Sequence, residues 1–279
     1  MANDVVLHYV ASLMYLISGM LLLRDKHNLI LQTLLLATAV VHGVAVHFDM
    51  FTPSAHGLKT ITINWSLSIS FMMWLGVLFY LFESTFLKIK GYLYLIIPAA
   101  VVSCALAATF PPSEHSIGIP IISNIFLMHM VFSFFAYAII ALAAIHVVIM
   151  FTLEKYLRRP INLSEETSIF SRIINAQPPL MVQERMLYRV IWVGFLLLTI
   201  SIISGAIVSM DLNGVLLPRD HKTFFTLFSW IIFGVLLFGR SIWGWRGRSY
   251  LRWTLIGFGL LFLAYTGTRF ILEVLLHRV

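Results

Sequence analysis

Apolar runs long enough to cross about 30 Å of hydrocarbon, at about 1.5 Å per helical residue, recur along this whole sequence. Eight lie near 4–22, 28–47, 64–83, 91–109, 122–153, 187–210, 222–240 and 250–277. Lipid offers the backbone no hydrogen-bond partner, so each run must satisfy its own amides as a helix. The expected fold class is therefore all-α: a polytopic membrane protein with eight transmembrane helices in a single membrane domain spanning 1–279. Composition agrees, with 60% hydrophobic residues, 11% charged residues and a mean hydropathy of +0.92. The fifth and eighth runs are the longest, so tilt or extension beyond the bilayer is expected for both.

Charge sets the orientation. Fourteen of the 19 lysines and arginines fall in the connections after odd-numbered helices, from Arg24 and Lys26 to Arg248 and Arg252. By the positive-inside rule those connections are cytoplasmic and both termini face the periplasmic side. The net charge of +7 is then explained by topology and anionic lipid, which leaves nucleic acid without a case. MANDVVLHYV has an acidic residue where a secretory signal carries a basic one, so it is expected to remain as the first helix. Cys104 is the only cysteine, which excludes an internal disulfide and any Cys-x-x-Cys pair. Residues 154–186 form the one long polar segment, read as a cytoplasmic amphipathic connector with a short helix starting at Ser164 and ended by Pro178 and Pro179.

The histidines are unevenly placed. His8, His42, His47, His56, His115, His129, His221 and His277 belong to the outer half, leaving His27 and His146 near the cytoplasm. A cytochrome that passes electrons across the membrane needs axial pairs at two depths. This distribution suits a single outward metal or haem site instead. Two readings of His129 stand side by side: a hydrogen bond to a neighbouring helix, or a ligand. In the last helix Tyr265, Arg269, Glu273 and His277 recur every four residues. Arg269 can pair with Glu273, or with Tyr265 it can bind a carboxylate such as a haem propionate. The carboxylates at Asp49, Glu83, Glu114, Asp211 and Asp220 are scattered, and no triad or metal-ligand helix motif accompanies them, so no enzyme is expected.

Four ordered segments carry a family resemblance: FLMHMVFSFFAYAIIAL, YRVIWVGFLLLTISIISGAIVS, DHKTFFTLFSWIIFGVLL and TLIGFGLLFLAYTGTRFILEVLLH. Together they resemble the integral-membrane cytochrome c assembly family of CcsA and CcmC type, and its shorter CcsA-like and HemX-like branch above all. The likeness is read over 122–279, with 1–121 as a variable four-helix part. The resemblance implies an outward haem site with His129 and His277 as axial ligands of the iron, and a further intramembrane histidine at His42. It also implies non-covalent haem b as cofactor, and assembly or respiratory proteins as partners. The family's tryptophan-rich outer loop has as counterpart MDLNGVLLPRDHKT, which keeps Asp220 and Lys222, holds His221 in place of a proline and contains no tryptophan.

The expected function is thus haem binding in cytochrome c assembly or haem trafficking, in a bacterial inner membrane. Two alternatives stand beside it. One is a non-catalytic structural or regulatory protein of the haem pathway; the other is a small-molecule permease.

Overall fold

The computed structural model describes residues 2–24, 29–51, 60–86, 90–112, 119–120, 123–157 and 177–270. They form α1 (Ala2–Leu23), α2 (Leu29–Met50), α3 (Trp65–Phe86), α4 (Leu93–Thr109), α5 (Asn124–Leu157), α6 (Leu180–Asn213), α7 (His221–Trp243) and α8 (Arg248–Phe262). A π turn, Leu263–Gly267, continues α8 into the helical residues Thr268–Phe270. The all-helical expectation holds apart from a two-residue antiparallel ribbon, β1 (Thr60–Ile61) against β2 (Ile119–Pro120).

Among the described residues six helices are long and apolar enough to cross a membrane: α1, α2, α3, α5, α6 and α7. The two remaining runs behave differently for local reasons. α4 has 17 residues with Pro98 inside it, which removes one backbone donor. In α8 the regular hydrogen-bond ladder gives way at Leu263, whose carbonyl accepts from the Thr268 amide and, at 2.9 Å, from its hydroxyl. Five-residue spacing of that kind widens the helix, so the four-residue stripe through Tyr265 does not continue in simple register.

The helices pack as two adjoining cores. One gathers α5, α6, α7 and α8 with α3, and the pairing of α5 along α6 is its most extensive contact. The other gathers α1, α2 and α4 around Tyr15, Leu31, Ile97 and Cys104. Outside both, Leu13, Met20, Leu36, Val40, Phe82, Phe228 and Phe238 are exposed, an apolar exterior that water would penalise and hydrocarbon would not.

The polar connector is shorter than the sequence implied. α5 continues to Leu157 and α6 already begins at Leu180, while the helix expected from Ser164 lies outside the described residues. Pro179 caps α6 instead of only ending an earlier helix, because a proline's missing amide costs nothing where helix amides are unpaired anyway. The Gln183 side chain completes this end by donating to the Pro178 carbonyl at 2.9 Å. At the same side Arg248 donates to Glu154 at 3.0 Å, tying the start of α8 to the end of α5.

Candidate functional site

A cavity of about 330 Å³ opens between α5, α6, the start of α7 and the π turn after α8. Its walls are mostly apolar, with Met72, Phe126, Met130, Phe134, Ile202 and Leu217 among them. Polar groups stand among them, including His129, Ser133, Ser201, Lys222, Thr226 and Tyr265. A mainly apolar hollow with a small set of aimed polar groups is the usual form of a small-molecule or cofactor site.

His129 is the centre of that set. Its Nδ1 lies 3.0 Å from the Ser201 carbonyl and 3.2 Å from Ser204 Oγ. A carbonyl only accepts, so Nδ1 carries the proton and the lone pair resides on Nε2. Among the described residues no hydrogen-bond partner engages Nε2. The arrangement repeats what ligating histidines show elsewhere, one ring nitrogen held by a backbone acceptor so that the other points at a metal. Ser133 Oγ donates to the His129 carbonyl at 2.7 Å and meets Ser201 Oγ at 2.7 Å, which locks α5 against α6 at this level.

Gly205 lets the imidazole in. A Cβ at that position would stand 2.8 Å from His129 Cε1, closer than real side chains approach. Here the absence of a side chain makes room, and helix α6 accepts the lower propensity of glycine in exchange.

Tyr265 faces the same cavity. Its ring meets Phe134 edge-on at 5.8 Å and Tyr137 at 6.2 Å, and Lys222 Nζ sits 5.5 Å above it. Lys222 is exposed at the mouth beside Asp220, the N-cap of α7, whose Oδ1 accepts from the Thr223 amide at 2.8 Å. Partial burial works to raise the Asp220 pKa, but hydrogen bonds from Thr223 and the nearby Lys222 charge outweigh it, and the carboxyl titrates below the usual aspartate range.

The profile of the family described as Cytochrome C assembly protein matches residues 37–276. The chain belongs to that family. Three relatives show how the likeness is spread. The cytochrome c biogenesis protein CcsA of Mesostigma viride is 28% identical over 216 residues, 72% of this chain and 71% of that protein. The inner membrane protein YpjD of Escherichia coli K12 is 28% identical over 188 residues, 67% of this chain and 66% of its own length. A CcsA from Synechococcus sp. (strain JA-2-3B'a(2-13)) is 37% identical over 84 residues, 30% of this chain and 24% of the relative.

Within this assembly-family fold, the structure brings His129 and Tyr265 to one cavity and sets Asp220 and Lys222 at its rim. His221 opens α7 between those two and is exposed, outside the cavity lining. His42 is elsewhere, fully buried in the second core, with Ser70 Oγ 2.9 Å from Nε2 and the Tyr15 hydroxyl 3.3 Å from Nδ1. Arg269 belongs to the last helical residues, but its side chain, Glu273 and His277 lie outside the described ones. His146 packs edge-on against Tyr92 at 4.7 Å, far from the cavity in a separate polar contact.

The cradle of Ser133, Ser201, Ser204 and Gly205 was not singled out from sequence. Its signal was nonetheless in the quoted motif, since the S-G ending TISIISG is Ser204–Gly205. The donor set fits a haem: one neutral imidazole with a free Nε2, apolar walls for a macrocycle, and a lysine at the mouth for a carboxylate. Aliphatic Leu216 and Leu217, from the loop that the sequence resemblance sets opposite the family's tryptophan-rich loop, line the cavity.

Proposed function

We infer that this protein is a haem-handling member of the cytochrome c assembly family, holding haem at the outward end of α5 and α6. One observation carries the reading: His129 has Nδ1 fixed by the Ser201 carbonyl at 3.0 Å, inside an apolar cavity, with Nε2 left to ligate. His129 would hold the iron through Nε2, and His277 would give a second imidazole. Lys222 and Arg269 meet the propionates, Tyr265 closes one wall, and His221 stands at the rim. Haem is cargo here, and its iron supplies the Lewis acid that these imidazoles hold.

The two helices shorter than the six clear spans complete an eight-span topology with both termini outward. The charge asymmetry supports that orientation. YpjD is described as an inner membrane protein, which supports a bacterial inner membrane for this chain as well. Partners on this reading are membrane lipid, haem and other cytochrome c assembly or respiratory proteins.

The test is spectroscopic. Haem titrated into the purified protein gives a low-spin absorption spectrum with two imidazole ligands, and His129→Ala abolishes it. A spectrum identical in wild type and His129→Ala removes the reading.

The outer loop favours a second reading. Val215, Leu216 and Leu217 are exposed where an aromatic platform would be needed to present a macrocycle to another protein. On that reading the chain regulates the haem pathway through contacts that do not depend on His129. Capture of haem-synthesis or respiratory-assembly proteins by both wild type and His129→Ala would favour it.

A further inference from the structure

The second core contains a polar cluster that the haem reading does not use. His8 from α1, His42 from α2 and Cys104 from α4 are all buried, and each places a ligand atom within 4.8 Å of the others. These three helices come from separate parts of the sequence, and the cluster joins them within the second core.

The surroundings of the cluster are arranged as metal ligands require. His8 Nε2 lies 2.9 Å from Asp49 Oδ2, so Nε2 carries the proton and the lone pair is on Nδ1. That Nδ1 is buried and has no hydrogen-bond partner among the described residues, in a side chain with 0% exposure. A buried ring nitrogen with nothing to accept from is costly and calls for an occupant. On His42, Ser70 Oγ holds Nε2 at 2.9 Å, while Nδ1 has only the long 3.3 Å contact with Tyr15. His8 therefore has one nitrogen tied to a carboxylate and the other unpartnered, the outer-shell pattern of histidine metal sites, while His42 would exchange its long Tyr15 contact for the ion.

We propose that His8, His42 and Cys104 bind a zinc ion, with Asp49 orienting His8 from behind. Two imidazoles and a thiolate are ligands that suit a borderline-soft cation and exclude magnesium and calcium. Charge favours a divalent ion such as Zn²⁺ over Cu⁺. On binding, the Cys104 thiol gives its proton to solvent, and the thiolate and the Asp49 carboxylate together balance two positive charges. A monovalent Cu⁺ leaves one negative charge unbalanced in the interior. Zinc bonds of about 2.0–2.3 Å place the two tetrahedral nitrogens and the sulfur about 3.3–3.6 Å apart, so from separations of at most 4.8 Å the cluster closes by up to about 1.5 Å. A fourth position is left for water or a small anion.

The experiment uses the full chain in lipid nanodiscs, without a polyhistidine tag, stripped by a membrane-permeant chelator. Zn²⁺ is titrated against a chromophoric chelator, and Cys104, the only cysteine, is alkylated with N-ethylmaleimide with and without the metal. One zinc per chain is expected, with alkylation at least tenfold slower in its presence. Cys104→Ser and His8→Gln each weaken zinc at least tenfold, whereas His129→Ala leaves it unchanged, which separates this site from the haem cavity. Alkylation that zinc does not slow overturns the proposal in the unmutated protein, whatever the variants do. Undiminished zinc affinity in Cys104→Ser also overturns it, and tight Cu⁺ binding with zinc excluded overturns the choice of metal.

Discussion

His129 and Gly205 approach so closely across the α5–α6 contact that a single added methyl would meet the imidazole, at 2.8 Å from Cε1. The bare backbone of α6 and the ring of α5 are thus one fitted unit, and the ring's direction depends on it.

Gly205→Ala tests that unit. Alanine favours the helix itself by about 1 kcal/mol, so the fold is retained. The methyl displaces the ring from the Ser201 carbonyl, and haem affinity falls tenfold or more, about 1.4 kcal/mol. Circular dichroism checks the first statement and a haem titration the second.

Lys222 is expected to act through charge at the cavity mouth. Lys222→Gln weakens haem binding by about tenfold at low ionic strength and by less at high salt, because an exposed charge is screened. Lys222→Arg retains most of the affinity. Haem dimethyl ester, which lacks free propionates, binds wild type and Lys222→Gln alike.

Legibility in the sequence divided along physical lines. The long apolar runs had to be helices, and α1 to α3 and α5 to α7 stand within a few residues of where hydropathy placed them, α6 excepted. There the polar residues of 180–186 suggested connector, yet Gln183 is buried and serves as a helix-end donor. The π turn left no trace, because LAYTG reads as ordinary helix until the Thr268 hydroxyl competes for the Leu263 carbonyl. His129 and Tyr265 were visible as rare polar groups in apolar helices. Their serine and glycine surroundings were not, since small residues at helix contacts look the same whether they pack helices or seat a ring. The His8–Asp49 pair spans 41 residues of sequence and needed coordinates.

The N-cap of α7 gives a pH-dependent prediction. Asp220 titrates below its ordinary range in the folded protein, so its ionised cap contributes stability above the unfolded-state pKa and loses it as pH falls through the lower folded value. Asp220→Ala costs about 0.5–2 kcal/mol near neutral pH. Asp220→Asn keeps the cap and flattens the acid limb of the unfolding curve. Thermal unfolding followed across an acid series checks both.

Packing between α2 and α3 should be separable from the haem cavity. A Cβ at Gly43 would lie 2.6 Å from Trp74 Cζ2, and the Trp74 indole N–H donates to the Ala39 carbonyl at 2.7 Å. Gly43→Ala therefore destabilises the protein by about 1–3 kcal/mol through overpacking. The haem spectrum of the folded fraction stays as in wild type, because neither residue touches His129.

Chemical rescue at position 129 decides whether that side chain ligates iron. In His129→Gly the imidazole is removed and space is left for a free one to take its place. The haem reading expects the low-spin spectrum to vanish in this variant and to return, with saturation, as imidazole is added to the buffer. An unaltered low-spin spectrum in His129→Gly before any imidazole is added would contradict it.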